Sequence, residues 1–164
     1  MPTPANGVKS SCDIAEIKRF AILCYPPGSV IELRAPKTRQ KTQSGYFSDL
    51  DKLAQAAASL SGQCPSICAT LNEVKPELLA RSSNRLTPYC EITTADQDII
   101  SRRKLPIDFD AVRPTGISSN DTEHQAALVK AEECAAYLVT LGFPEDSIII
   151  ADSGNGSNSA DAAN

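Results

Sequence analysis

Residues 105–116 read LPIDFDAVRPTG, and the rest of the chain is most simply read outward from them. The segment opens apolar, sets Asp108 and Asp110 on either side of Phe109, and breaks at Pro114 and Gly116. In a strand, alternate residues share a face, so the two aspartates are expected to project together. Adjacent carboxylates repel unless a cation lies between them. A hard divalent ion such as Mg²⁺ takes oxygen ligands and keeps waters that a phosphate can displace. The pattern therefore predicts a metal-dependent phosphoryl- or nucleotidyl-transfer site at a strand end. Ile107 and Phe109 flank Asp108, so burial is expected, and a buried carboxylate needs a partner. Arg102, Arg103, Lys104 and Arg113 are the alternative partners, neutralising the acids without any metal.

Downstream, a helix is predicted from about residue 121 to 141, with Ala127, Ala131, Cys134, Leu138 and Leu141 along one face. Gly142 and Pro144 end it. SIIIA, residues 147–151, is a continuous β-branched run of the kind found in interior strands. Residues 105–151 are thus expected to form a βαβ crossover, right-handed if the strands are parallel. That arrangement puts the aspartates and the loop Ser153-Gly154-Asn155-Gly156 at one sheet edge, where ligands bind in such folds. Glycines let backbone N–H groups approach a phosphate, although on its own such a loop is usually just a turn. His124, the only histidine, falls in the first turns of the helix, where an exposed side chain is commoner than a catalytic one.

Upstream, residues 1–11 are polar and broken by Pro2, Pro4 and Gly7, which predicts a disordered N-terminus. Asp13 caps a predicted helix to about Leu23, ended by Pro26, Pro27 and Gly28. VIELRA, residues 30–35, alternates like a half-buried strand, and residues 37–44 read as a polar loop. Ser48 and Asp51 resemble a capping box opening an alanine-rich helix to Leu60, with Gly62 as its stop. SICATL, residues 66–71, reads as a strand; Pro76 begins a helix carrying Leu78, Leu79 and Leu86; Thr94 caps another from 95 to about 103. Strands alternating with helices predict an α+β fold with a central sheet.

At 164 residues the chain has the length of one domain, and no internal repeat or boundary stands out. A net charge of −4 and a pI near 5.0 argue against a protein whose main task is coating duplex DNA. Arg34, Lys37, Arg39 and Lys41 nevertheless fall in a stretch without an acid, a pattern that most often marks solvated surface. The six cysteines are irregularly spaced, so they read as reduced, buried thiols; Cys64 and Cys68 lack the second ligand pair that zinc requires. No apolar run is long enough to span a bilayer and no signal core opens the sequence, so a cytoplasmic protein is expected.

PIDFDAVRPTGISSNDTEH, TLNEVKPELLARSSNRL upstream and ADSGNG downstream together resemble the archaeo-eukaryotic primase superfamily. The resemblance is to the bifunctional primase–polymerase domains at the N-termini of phage and plasmid replication proteins, often ahead of a helicase, and it covers about residues 30–156. It implies an RRM-like catalytic sheet flanked by helices that performs template-directed nucleotidyl transfer on single-stranded DNA with Mg²⁺ or Mn²⁺. Asp108 and Asp110 match the metal-holding pair. Ser153, Gly154, Asn155 and Gly156 match the loop around the incoming nucleoside triphosphate, with Arg113 beside it. Asn72, Arg81, Asn84 and Arg85 match family blocks that steady the surrounding loops or contact nucleic acid. Asn158 stands where the family carries a histidine, and a further acid expected on a later strand is absent. The expectation is a C-terminally truncated domain at 12–156 with an irregular tail at 157–164. Two rival expectations remain: a non-catalytic nucleotide- or partner-binding remnant of a replication protein, and a phosphatase-like phosphotransferase with Asp108 as nucleophile and Asp110 as general acid.

Overall fold

In the computed structural model, which describes residues 12–112 and 119–152, the alternating run at Ile31 becomes the middle strand of a small antiparallel sheet. β1 (Ile31–Thr38) pairs with β2 (Lys41–Phe47) on one side and with β3 (Cys68–Ala69) on the other. Two helices, α1 (Ile14–Cys24) and α2 (Leu50–Leu60), supply the core that covers this sheet. The chain divides into two compact units, Met1–Leu105 and Pro106–Asn164. The fold is therefore α+β, as the sequence indicates. The predicted N-terminal disorder at 1–11, Arg113, the loop residues 153–156 and the tail at 157–164 lie outside the described residues.

Strand alternation decides which side chains are buried where. Ile31 and Leu33 of β1 join Phe47 of β2 in a core completed by Ala21 and Tyr25 from α1 and its end, and by Leu53 and Ala57 from α2. The next residues along, Glu32, Ser44 and Tyr46, are also buried, but Tyr46 packs with Val30, Val74 and Leu78 in a second cluster. Removing a side chain such as fully buried Phe47 from water contributes roughly 1.5–3 kcal/mol. Both helices start where a carboxylate caps them. Asp13 Oδ1 accepts from the amides of Ala15 and Glu16, and Asp49 Oδ1 from those of Asp51 and Lys52. The cap of α2 is thus Asp49, one residue after the predicted Ser48.

The predicted polar loop at 37–44 is instead a β-hairpin. Ala35 pairs with Gln43 and Thr38 with Lys41, so two residues of β1 face one of β2, and the extra residue makes a bulge at Pro36 and Lys37. A polar hairpin needs no alternation when its tip has no core beneath it.

Residues after β3 lace across the sheet through single bridges, Val30 to Val74 and Val74 to Ile99. This pairing explains why the helix predicted at 95–103 is cut to a 3₁₀ turn, Asp96–Asp98. The chain leaves that turn so that Ile100 can donate to the carbonyl of Glu73, while Lys75 donates to Asp98. The segment after Pro76 is likewise a 3₁₀ helix, Pro76–Arg81, burying Leu78. The strand predicted at 66–71 shortens to β3.

In the second unit α3 (Asp121–Thr140) opens with a reciprocal cap: Asn120 accepts from the amide of Glu123, whose carboxylate accepts from the amide of Asn120. Its predicted stripe is half-buried at Ala127, Ala131, Cys134 and Leu138, while Leu141 is exposed. The expected strands on either side of α3 are not formed among the described residues. Residues 101–112 have no regular structure, and neither does the SIIIA run beyond Ser147, where the short 3₁₀ turn Glu145–Ser147 ends. A strand needs a ladder partner, and neither segment finds one there, so Ile149 and Ile150 stay about half exposed. Pro106 also removes an amide donor from the first. The βαβ crossover is thus absent from the described residues. All six cysteines are free; Cys68 is exposed and the others are half-buried, so the expectation of buried thiols is corrected. No helix among the described residues is long and apolar enough to cross a membrane.

Candidate functional site

Asp108 and Asp110 belong to the second unit and lie in the irregular segment, both exposed. The burial suggested by their apolar neighbours is not found, because Ile107 is itself exposed and Phe109 only half-buried. Neither carboxylate has an ion pair or hydrogen bond to a described residue of its unit. As a donor set they are two hard oxygen ligands two residues apart, open to water, which suits a hydrated divalent ion. Among the described residues no three His, Cys, Asp or Glu side chains converge as a metal cage would.

Of the cations expected as alternative neutralisers, Arg113 lies outside the described residues, and Arg102, Arg103 and Lys104 have partners within the first unit. Arg102 pairs with Asp96 at 3.3 Å, and Arg103 donates through Nε to Ser101 Oγ. Lys104 Nζ donates to the Leu71 carbonyl at 2.9 Å, pairs with Glu73 at 3.5 Å, and sits 4.5 Å from the centre of the Tyr25 ring.

The asparagines from the resemblance blocks do hold loops. Asn72 Oδ1 accepts from the amides of Arg103 and Lys104, fixing the chain just before residue 105. Asn84, with φ of +51°, accepts from the amides of Ser48 and Asp49 at 3.0 Å each, bracing the start of α2. Arg81 reaches the hydroxyl of Tyr46 at 3.4 Å. Gly45 is required beside them: a Cβ there would meet the Arg85 carbonyl oxygen at 2.0 Å.

His124 differs from its expected exposed position. Its Nε2 lies 3.1 Å from Oδ2 of Asp152, and its side chain is about three-quarters buried, 26% exposed. Asp152 immediately precedes Ser153, so in sequence this contact ties the first turn of α3 to the start of the predicted triphosphate loop.

The sequence reading missed a network around Glu32. This residue is 1% exposed, yet its carboxylate receives Nε and a terminal nitrogen of Arg34, Ser44 Oγ and the amide of Thr94. Burial pushes its pKa up, but the bonds from Arg34, Ser44 and Thr94 outweigh burial and hold it below the usual carboxylate range. Its oxygens are engaged, so it serves as a tether rather than a proton acceptor. The available signal was the acid enclosed by Ile31 and Leu33, with Arg34 two residues on and hence on the same face. Thr94, predicted as a helix cap, is instead tethered here. Beside it, Thr70, Leu71, Asn72, Thr94, Ala95, Asp96 and Ile99 line a depression of about 250 Å³, smaller than a site that encloses a nucleotide-sized ligand. A wider hollow along α3 is lined by that helix alone and is open surface. No family model, curated protein or solved structure matches this chain.

Proposed function

We propose that this chain is part of a primase–polymerase catalytic domain that transfers nucleotides on a single-stranded DNA template in phage or plasmid replication. Asp108 and Asp110 hold Mg²⁺ or Mn²⁺, and Ser153, Gly154, Asn155, Gly156 and Arg113 surround the triphosphate of the incoming nucleotide. In the reaction the primer 3′-hydroxyl gives its proton to solvent as its oxygen bonds to the α-phosphorus, the bond from that phosphorus to the α–β bridging oxygen breaks, and diphosphate leaves. A divalent ion at the aspartates supplies charge neutralisation for the phosphate oxygens. The RRM-like sheet belongs to the same proposal, as does a helicase joined to or acting with this domain.

The observation that carries the reading is the state of the two aspartates. They are exposed and have no ion pair or hydrogen bond to a described residue of their unit, while Arg102, Arg103 and Lys104 are engaged with Asp96, Ser101 and Glu73. Asn72 and Asn84, which stand in the blocks that carry the resemblance, steady loops of the first unit, which is compatible with the reading. Titration calorimetry with Mn²⁺ tests the metal assignment. Heat of binding is expected for the unaltered chain and is expected to vanish in Asp108→Ala and in Asp110→Ala. No binding, or binding that survives both substitutions, contradicts it.

A further inference from the structure

The β1–β2 hairpin and the strand-like segment beside it carry a charge pattern unlike the rest of the molecule. Residues 33–48 and 81–90 contain Arg34, Lys37, Arg39, Lys41, Arg81 and Arg85 and no acid, in a chain whose net charge is −4. The structure brings these two segments together. Ser44 bridges to Thr87, Tyr89 donates its amide to the Gln40 carbonyl at 3.1 Å, and Cys90 donates to Thr42 at 2.9 Å. Arg34 is tied to Glu32 and Arg81 to Tyr46. Lys37, Arg39, Lys41 and Arg85 are exposed and form no ion pair with a described residue of their unit.

A basic run alone is usually solvated surface, but Tyr89 is a second and independent signal. It lies against the hairpin tip, its side chain is largely in water at 59% exposure, and its φ is +56°. A bulky L-residue is disfavoured in that left-handed conformation, where glycine or asparagine sits without strain. Its own amide is held by Gln40 in the hairpin turn, and its neighbours Thr87 and Cys90 are held by Ser44 and Thr42 of β2, so an aromatic ring is held outward at a position better suited to glycine. Retained strain of this kind points to function.

We propose that the hairpin tip, Lys37, Arg39 and Lys41 with Tyr89, is a binding surface for single-stranded nucleic acid. The cations track phosphates, and the Tyr89 ring stacks on an unpaired base, a face that duplex does not offer. The acidic overall charge fits a local contact of this kind better than a duplex-coating role. This surface uses none of the residues assigned to nucleotidyl transfer; its ligand is of the same class as the template proposed above, but the inference rests on the hairpin's charges and on Tyr89 and not on that reading.

Fluorescence anisotropy with a labelled oligo-dT strand tests it, in EDTA and without nucleotide so that Asp108 and Asp110 play no part. The unaltered chain is expected to bind with a steep salt dependence and to prefer the single strand to duplex. The triple variant Lys37→Ala/Arg39→Ala/Lys41→Ala is expected to flatten the slope of log K against log salt by about 2, from three phosphate contacts at ~0.7 each. Tyr89→Gly is expected to weaken binding about fivefold or more with its salt slope unchanged, while its melting temperature holds or rises because glycine accepts the positive φ. Lost binding together with maintained stability separates a contact from a structural role. No binding, unchanged affinity in either variant, or equal affinity for duplex overturns the proposal, and it does so without touching the metal assignment if Mn²⁺ still binds.

Discussion

A carboxylate in the middle of an apolar strand must be satisfied, or the strand does not bury. Glu32 meets that demand with bonds from Arg34, Ser44 and Thr94, and it ties the distant Thr94 segment to the β1–β2 hairpin. Removing one member of a buried pair leaves the other uncompensated; because Arg34 is partly exposed, Glu32→Gln is expected to cost about 3 kcal/mol at neutral pH, near the low end for such changes. Its folded pKa lies below the ordinary value of 4.5, so the unfolded state takes up the proton first as pH falls. The stabilisation is complete above about 4.5 and is lost as pH drops through the lower folded value. Thermal melts from pH 7 to 3 should show this extra acid loss in the unaltered chain and a shallower one in Glu32→Gln; parallel curves contradict the tether. Asn84 gives a second residue-scale test. Asn84→Ala removes the acceptor shared by Ser48 and Asp49 and is expected to cost about 1–2 kcal/mol in urea unfolding, whereas Asn84→Asp keeps an acceptor and costs less. Both asparagines were visible in the sequence as parts of motif blocks. The Glu32 network was not, because Thr94 lies 62 positions away and only the folded chain brings it near.

Elements follow the same division between local and distant causes. Where a cap or an alternation acts within a few residues, the sequence was readable: Asp13 starts α1, the run from Ile31 forms β1, and α3 spans nearly its predicted length. Where a partner strand decides, it was not. The β-branched run at 147–151 has the composition of a strand but no ladder among the described residues, and 95–103 has a helical start that Val74 and Glu73 draw out of helical pairing. The hairpin shows the reverse error, since polar residues at 37–44 pair without any apolar alternation. Gly45 is the element-scale test. The Arg85 carbonyl passes so close to β2 that Gly45→Ala forces backbone to move, and a loss of about 1–3 kcal/mol is expected by denaturant unfolding. A neutral result contradicts the close pairing of 82–87 with β2.

At the scale of the molecule, the two units differ in how firmly they are built. Every buried apolar side chain among the described residues lies between Ala21 and Leu78, and α3 has none. Local stability follows burial, so hydrogen exchange is expected to be at least ~100-fold slower at the amides of Leu33 and Tyr46 than in the middle of α3. Comparable protection contradicts this contrast. The candidate site belongs to the less buried unit. Its aspartates were legible from spacing and residue type, but their exposure was not, because apolar neighbours in sequence do not guarantee a core around them. The contact between His124 and Asp152 was equally hidden, joining the first turn of α3 to a residue 28 positions on. Primer extension tests the central claim most directly, using a primed single-stranded template, deoxynucleotides and Mn²⁺. The account predicts metal-dependent extension that falls at least ~100-fold in Asp108→Ala and in Asp110→Ala, as expected when electrostatic stabilisation of a phosphoryl-transfer site is removed. No extension by the unaltered chain, or extension that survives both substitutions, contradicts it.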